Sequence, residues 1–133
     1  MKYEIQNCIA SRLRRLSRIT DGYLRKALVD FDITENQMNI LFVLNKLGKV
    51  EQGYVGKILI LERSSISRGI RLLEKQKYIK RTSDYRPEIE LTKKGIDLVQ
   101  ILLPKWENFM DEIYEKIGDD GLKHISDLET KLN

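Results

Sequence analysis

The chain has 133 residues, 33% of them charged, a formal net charge of +4, one cysteine and one histidine. That length suits a single soluble domain with a buried core, and no apolar run approaches the ~20 residues a membrane span needs. Cys8 has no intrachain disulfide partner, and His124 alone leaves no Cys/His metal site. With no Gly-rich phosphate loop either, no metal, cofactor or enzymatic chemistry is expected. Met1-Lys2-Tyr3-Glu4 opens without the apolar stretch of a secretion signal, so a cytoplasmic protein without membrane association is expected.

The first predicted element is a long helix. Ile5, Ile9, Leu13, Leu16, Ile19, Tyr23, Ala27, Leu28 and Phe31 recur at three- and four-residue spacing, with Arg12, Arg14, Arg15, Arg18 and Arg25 mostly on the other side. Cys8 falls between Ile5 and Ile9, where burial as a small hydrophobe competes with a role as a redox-active thiol.

A second helix starts at a capping box. The Thr34 hydroxyl can accept from the Gln37 backbone N–H while the Gln37 side chain reaches back, and Ile33 and Met38 occupy the positions of a hydrophobic staple. Ile40, Leu41, Val43, Leu44 and Leu47 form its buried face, and Gly48 stands where a left-handed cap would end it.

A short third helix is predicted from about Glu51 to Ile58, with Val55, Ile58 and Leu59 inward. After a turn at Ile60-Leu61-Glu62, a fourth runs from about Arg63 to Lys77. Ile66, Ile70 and Leu73 make its inner stripe, and Gly69 allows close packing. At ~100° per residue the opposite arc holds Ser64, Arg68, Arg71 and Lys75, with Ser65 and Ser67 flanking it. Small hydroxyls followed by arginines suit a helix laid in the DNA major groove, where arginine pairs with guanine O6 and N7.

The period then drops to two. Tyr78–Thr82 and Glu88–Leu91 alternate polar and apolar around Ser83–Pro87, which predicts an antiparallel hairpin. Thr92 starts a long helix with Ile96, Val99, Leu103, Trp106, Met110, Ile113 and Ile117 on one side, and Pro104 inside it predicts a kink. A break at Gly118-Asp119-Asp120-Gly121 precedes a last helix bearing Leu122, Ile125, Leu128 and Leu132. Charge follows the same partition. Residues 1–45 carry +2, residues 46–94 carry +7 and residues 95–133 carry −5, so a polyanion is drawn to the middle block. The expected fold is mainly α with a small β-hairpin wing.

Ile33-Thr34 with Gln37, Ile40-Leu41 and Leu44 resembles the second-helix signature of the MarR family of transcriptional regulators. Leu61–Arg68 with Leu72-Leu73-Glu74-Lys75 and Tyr78-Ile79-Lys80-Arg81 resembles its recognition helix and first wing strand, and Leu91-Thr92-Lys93-Lys94-Gly95 its exit from the wing. The resemblance covers nearly the whole chain. It implies one domain, a winged helix-turn-helix over residues 34–92 and dimerisation helices over 1–31 and 93–133. It also implies a homodimer on double-stranded DNA at a pseudo-palindromic operator, acting as a repressor. Arg63, Ser64, Ser65, Ser67, Arg68, Arg71 and Lys75 become candidate DNA contacts. Asp84-Tyr85-Arg86 resembles an Asp-x-Arg wing motif that would send Arg86 into the minor groove. Many members of the family bind small aromatic effectors, for which Tyr23, Met38, Trp106 and Tyr114 are candidates, with core packing as the alternative. The competing reading from another class is a winged-helix module for protein–protein contact without specific DNA binding.

Three positions depart from the family pattern. The wing is short, Glu51 is a weak cap for the third helix, and Ile60 stands where glycine is common. If the backbone turns through positive φ at Ile60, a β-branched residue is strained there.

Overall fold

A computed structural model describes residues 1–82 and 85–133. A 3-10 turn at Ile5–Asn7 leads into α1 (Ile9–Ala27), followed by α2 (Glu35–Leu47), β1 (Val50–Glu51), α3 (Gln52–Leu59), α4 (Arg63–Lys75), β2 (Ile79–Arg81), β3 (Glu88–Leu91) and α5 (Lys93–Leu132). The fold is mainly α with a three-stranded antiparallel sheet in the order β1-β3-β2, in which Ile79 faces Leu91, Arg81 faces Ile89 and Val50 faces Ile89. No helix among the described residues is long and apolar enough to cross a membrane.

The core centres on α2. Met38, Ile40, Leu41 and Leu44 pack with Val55 of α3, Ile66, Ile70 and Leu73 of α4, Ile79 and Ile89 of the sheet, and Leu98, Val99 and Leu102 of α5. The capping box closes as the sequence predicts. Gln37 N–H donates to Thr34 Oγ1 at 3.2 Å, and Thr34 N–H donates to Gln37 Oε1 at 2.8 Å. Gly48 ends α2 at φ 76°, ψ −141°, a region essentially reserved for glycine.

Both helices of the helix-turn-helix end in left-handed turns without glycine. After α3, Ile60 takes φ 52°, ψ 47°, its N–H donates to the Lys57 carbonyl, and Leu61 N–H donates to the Gly56 carbonyl. After α4, Lys77 takes φ 66°; its N–H donates to the Glu74 carbonyl and Tyr78 N–H to the Leu73 carbonyl, both at 3.0 Å. Each is the paired hydrogen-bond closure that glycine ordinarily permits, and a Cβ in this region costs about 1–3 kcal/mol. Lys77→Gly is therefore expected to raise stability by ~0.5–1 kcal/mol and Tm by about 2–4 °C, measured by thermal denaturation.

α5 keeps helical dihedrals through Pro104, and its one non-helical residue is Gly118 (φ 67°, ψ −178°). The expected break thus lies at Gly118, and Gly121 then packs so closely on Ile117 that a Cβ would stand 2.6 Å from Ile117 Cβ. Outside the core the two chain ends stay bare. Ile5, Ile9, Leu13, Leu16 and Ile19 are 41–74% exposed, and Leu122, Ile125, Leu128 and Leu132 are 42–70% exposed.

Candidate nucleic-acid interface

α4 is held on two sides at close range. A Cβ on Gly69 would stand 3.0 Å from Ile40 Cδ1 of α2, and one on Gly56 of α3 would stand 3.3 Å from Ile66 Cγ1. The Gln52 side-chain amide donates to Ser67 Oγ at 3.4 Å, and its backbone N–H donates to the Pro87 carbonyl at 3.1 Å. The start of α3 therefore ties the middle of α4 to the root of the wing. Gln52 Oε1 is buried without a hydrogen-bond partner among the described residues.

With Ile66, Ile70 and Leu73 inward, α4 turns Arg63, Ser64, Arg68, Arg71 and Lys75 to solvent. None of the four cations makes an ion pair with, or hydrogen bond to, another described residue, so their donors are free for an external anion or base edge. Ser65 and Ser67 are half-buried, and Ser67 is engaged with Gln52. The α4 N-cap, Glu62, makes no side-chain cap hydrogen bond, which leaves the first-turn N–H groups open.

The wing is pinned at its neck. Thr82 N–H donates to the Glu88 carbonyl at 2.9 Å, and Glu88 N–H donates to Thr82 Oγ1 at 3.2 Å. Arg81 Nη2 lies 3.6 Å from Glu74 Oε1 and joins the wing to α4. Arg86 is exposed at φ 44°, with its guanidinium 5.5 Å from the Tyr85 ring centroid. Asp84, the first residue of the Asp-x-Arg motif, lies outside the described residues.

The effector candidates do not converge. Tyr23 lines a concavity of about 310 Å³ between α1 and α5 with Lys26, Lys105, Phe109 and Glu112, and Lys116 Nζ lies 5.8 Å from its ring centroid. Met38 is fully buried in the core, Trp106 packs edge-on against Phe42 at 5.6 Å, and Tyr114 is 43% exposed. Cys8 is exposed just before α1. Its thiol pKa lies below the ordinary cysteine value because the Ser11 backbone N–H, then the Ser11 hydroxyl, stabilise the thiolate, with help from the Ala10 N–H and Arg14.

An open cleft of about 770 Å³ to which no sequence motif points lies between α3, the start of α4 and the wing root, lined by Gln52, Lys57, Ile60, Glu62, Arg63 and Pro87 among others. Only Ile60, in a glycine position, carried a signal for it.

Known proteins share this arrangement. Residues 31–87 match the model of the MarR family. An uncharacterized HTH-type transcriptional regulator of Bacillus cereus is 25% identical over 131 residues, covering 97% of this chain and 89% of that protein. Among solved structures, Bordetella bronchiseptica BpsR, whose DNA binding is regulated by 6-hydroxynicotinic acid, superposes with a TM-score of 0.88 at 19% identity, over 98% of this chain and 96% of that one. A mutant MarR from E. coli complexed with operator DNA superposes with a TM-score of 0.83 at 18% identity, over 98% and 99% of the two chains.

Proposed function

We propose that this chain is a regulator of the MarR type, a sequence-specific repressor that holds a pseudo-palindromic operator as a homodimer and lets go when a small aromatic ligand binds. The observation that carries the reading is the α4 surface. Arg63, Ser64, Arg68, Arg71 and Lys75 are exposed, its cations are unpaired among the described residues, and Arg86 is exposed on the wing. Arg68 and Arg71 read base edges in the major groove, Arg63 and Lys75 seat phosphates, and Arg86 reaches the adjacent minor groove or its phosphates.

Dimerisation is supported by the bare apolar ends. Ile9, Leu13, Leu16 and Ile19 on α1 and Leu122, Ile125, Leu128 and Leu132 at the end of α5 stand exposed at helical spacing, apolar stripes that a monomer rarely leaves in contact with water. Leu16→Asp combined with Ile125→Asp is expected to turn the dimer into a monomer in sedimentation experiments. Operator affinity then falls by about 10²-fold or more, because the second half-site is no longer tethered. A double variant that stays dimeric would place the interface elsewhere.

The concavity at Tyr23, lined by Phe109 and by Lys26 and Lys105 balanced by Asp30 and Glu112, suits a small polar aromatic ligand between α1 and α5, where it would alter how the dimerisation helices set the two DNA-binding lobes apart. The function is tested by selection from a random DNA pool. The expected product is an inverted repeat with half-site centres ~10 bp apart, and a pool without a preferred sequence would instead favour a protein-contact module.

A further inference from the structure

Ile60 is 90% exposed, and it is the one β-branched residue among the described residues with positive φ. Both hydrogen bonds that close α3 there are made by backbone groups, so glycine would make them without the steric cost of a Cβ. Packing does not compensate, because the side chain lies almost wholly in solvent. A strained, exposed, apolar residue of no use to the fold points to an external contact.

Its position narrows the partner. Ile60 lines the open cleft between α3, α4 and Pro87, three residues before Arg63 opens the recognition helix. Lys57, Glu62 and Arg63 line the same cleft, so its charge does not select the contact, but the Ile60 side chain has no donor for a phosphate oxygen and can match only an apolar group. The one apolar group on a base edge in the major groove is the C5-methyl of thymine. We propose that Ile60 is a specificity-determining residue that packs on a thymine methyl at the margin of each half-site. The inference rests on the DNA-binding reading above.

The experiment is a cycle between the side chain and the methyl group. Wild type and Ile60→Gly are titrated against the selected duplex and against duplexes in which each thymine of a half-site is replaced in turn by deoxyuracil, which lacks the methyl. Ile60→Gly is expected to fold with a higher Tm. For wild type, one symmetric pair of positions should lose about fourfold per half-site on deoxyuracil substitution, and Ile60→Gly should be indifferent there. Ile60→Asn, which also tolerates the left-handed turn, should behave as Ile60→Gly does. Wild type indifferent to every substitution, or equal methyl sensitivity in all three proteins, overturns the inference while the preferred duplex still stands. Absence of any preferred duplex overturns the DNA-binding reading itself.

Discussion

Arg68→Ala and Arg71→Ala should each weaken binding to the selected operator by about 1–3 kcal/mol, roughly five- to 150-fold, and should relax base preference within the half-site. Both side chains lie on the exposed arc of α4, opposite Ile66, Ile70 and Leu73, and neither has a partner among the described residues. Truncation therefore leaves no internal group orphaned, and folding stability should move by no more than about 0.5 kcal/mol. Affinity for random duplex should fall much less than affinity for the operator, since non-specific binding depends on phosphate contacts. Arg86→Ala provides the contrast. If the short wing meets only phosphate, its loss lowers affinity for both duplexes alike and reduces the salt slope by about 1. Anisotropy titrations on the two duplexes read all of these effects. Equal losses for all three variants on both duplexes would remove Arg68 and Arg71 from base recognition.

Gly95→Ala should be the most damaging of the conservative substitutions, costing about 3 kcal/mol or more and lowering Tm by about 10 °C. A Cβ there would collide with the Tyr78 carbonyl oxygen and press on Leu91 Cδ2. That carbonyl is fixed, because it accepts the Thr92 N–H at 3.0 Å. Thr92 is fixed in turn, since its hydroxyl donates to the Lys77 carbonyl at 2.6 Å and accepts from Gly95 N–H at 3.1 Å. Lys94 adds a bond from its ammonium to the Gln76 carbonyl at 2.9 Å. The end of α4, the start of the wing and the start of α5 are thus knotted at one point, and relief of the clash would move the wing relative to the recognition helix. Gly22→Ala in α1 is the matched control. Nothing lies within 4 Å of a Cβ there, so it should stabilise by about 0.5–1 kcal/mol.

The parts of this fold that were legible in the sequence are those written in local chemistry. Thr34 and Gln37 cap α2, the Ile66-Ile70-Leu73 stripe orients α4, and Gly118 breaks the last long helix. β1 went unseen because two residues, Val50 and Glu51, are too few for a period to appear. The apolar spacing predicts a first helix from Ile5, whereas α1 begins at Ile9. Cys8 is extended at φ −60°, ψ 114°, and no Gly or Pro marks that point. Ile58 and Ile96, inward by their spacing, stand 40% and 46% exposed, since spacing indicates a face without saying where its cover ends.

The candidate DNA surface followed from one helix and its period, so its residues were legible. The effector set depended on three elements meeting in space, which periodicity does not report. Met38 went to the core, Trp106 to Phe42 and Tyr23 to a concavity of its own. At Ile60 the sequence raised a conditional question, strain if φ were positive, and the backbone answers it with φ 52°.

The most direct test of the regulator reading is the dissociation constant of the wild-type dimer on its selected duplex and on a scrambled duplex, measured across salt. Affinity for the selected duplex should fall by about 10³-fold between roughly 50 and 200 mM salt, and it should exceed affinity for the scrambled duplex by about 10³-fold or more throughout. Equal affinity for the two duplexes at every salt concentration would contradict it.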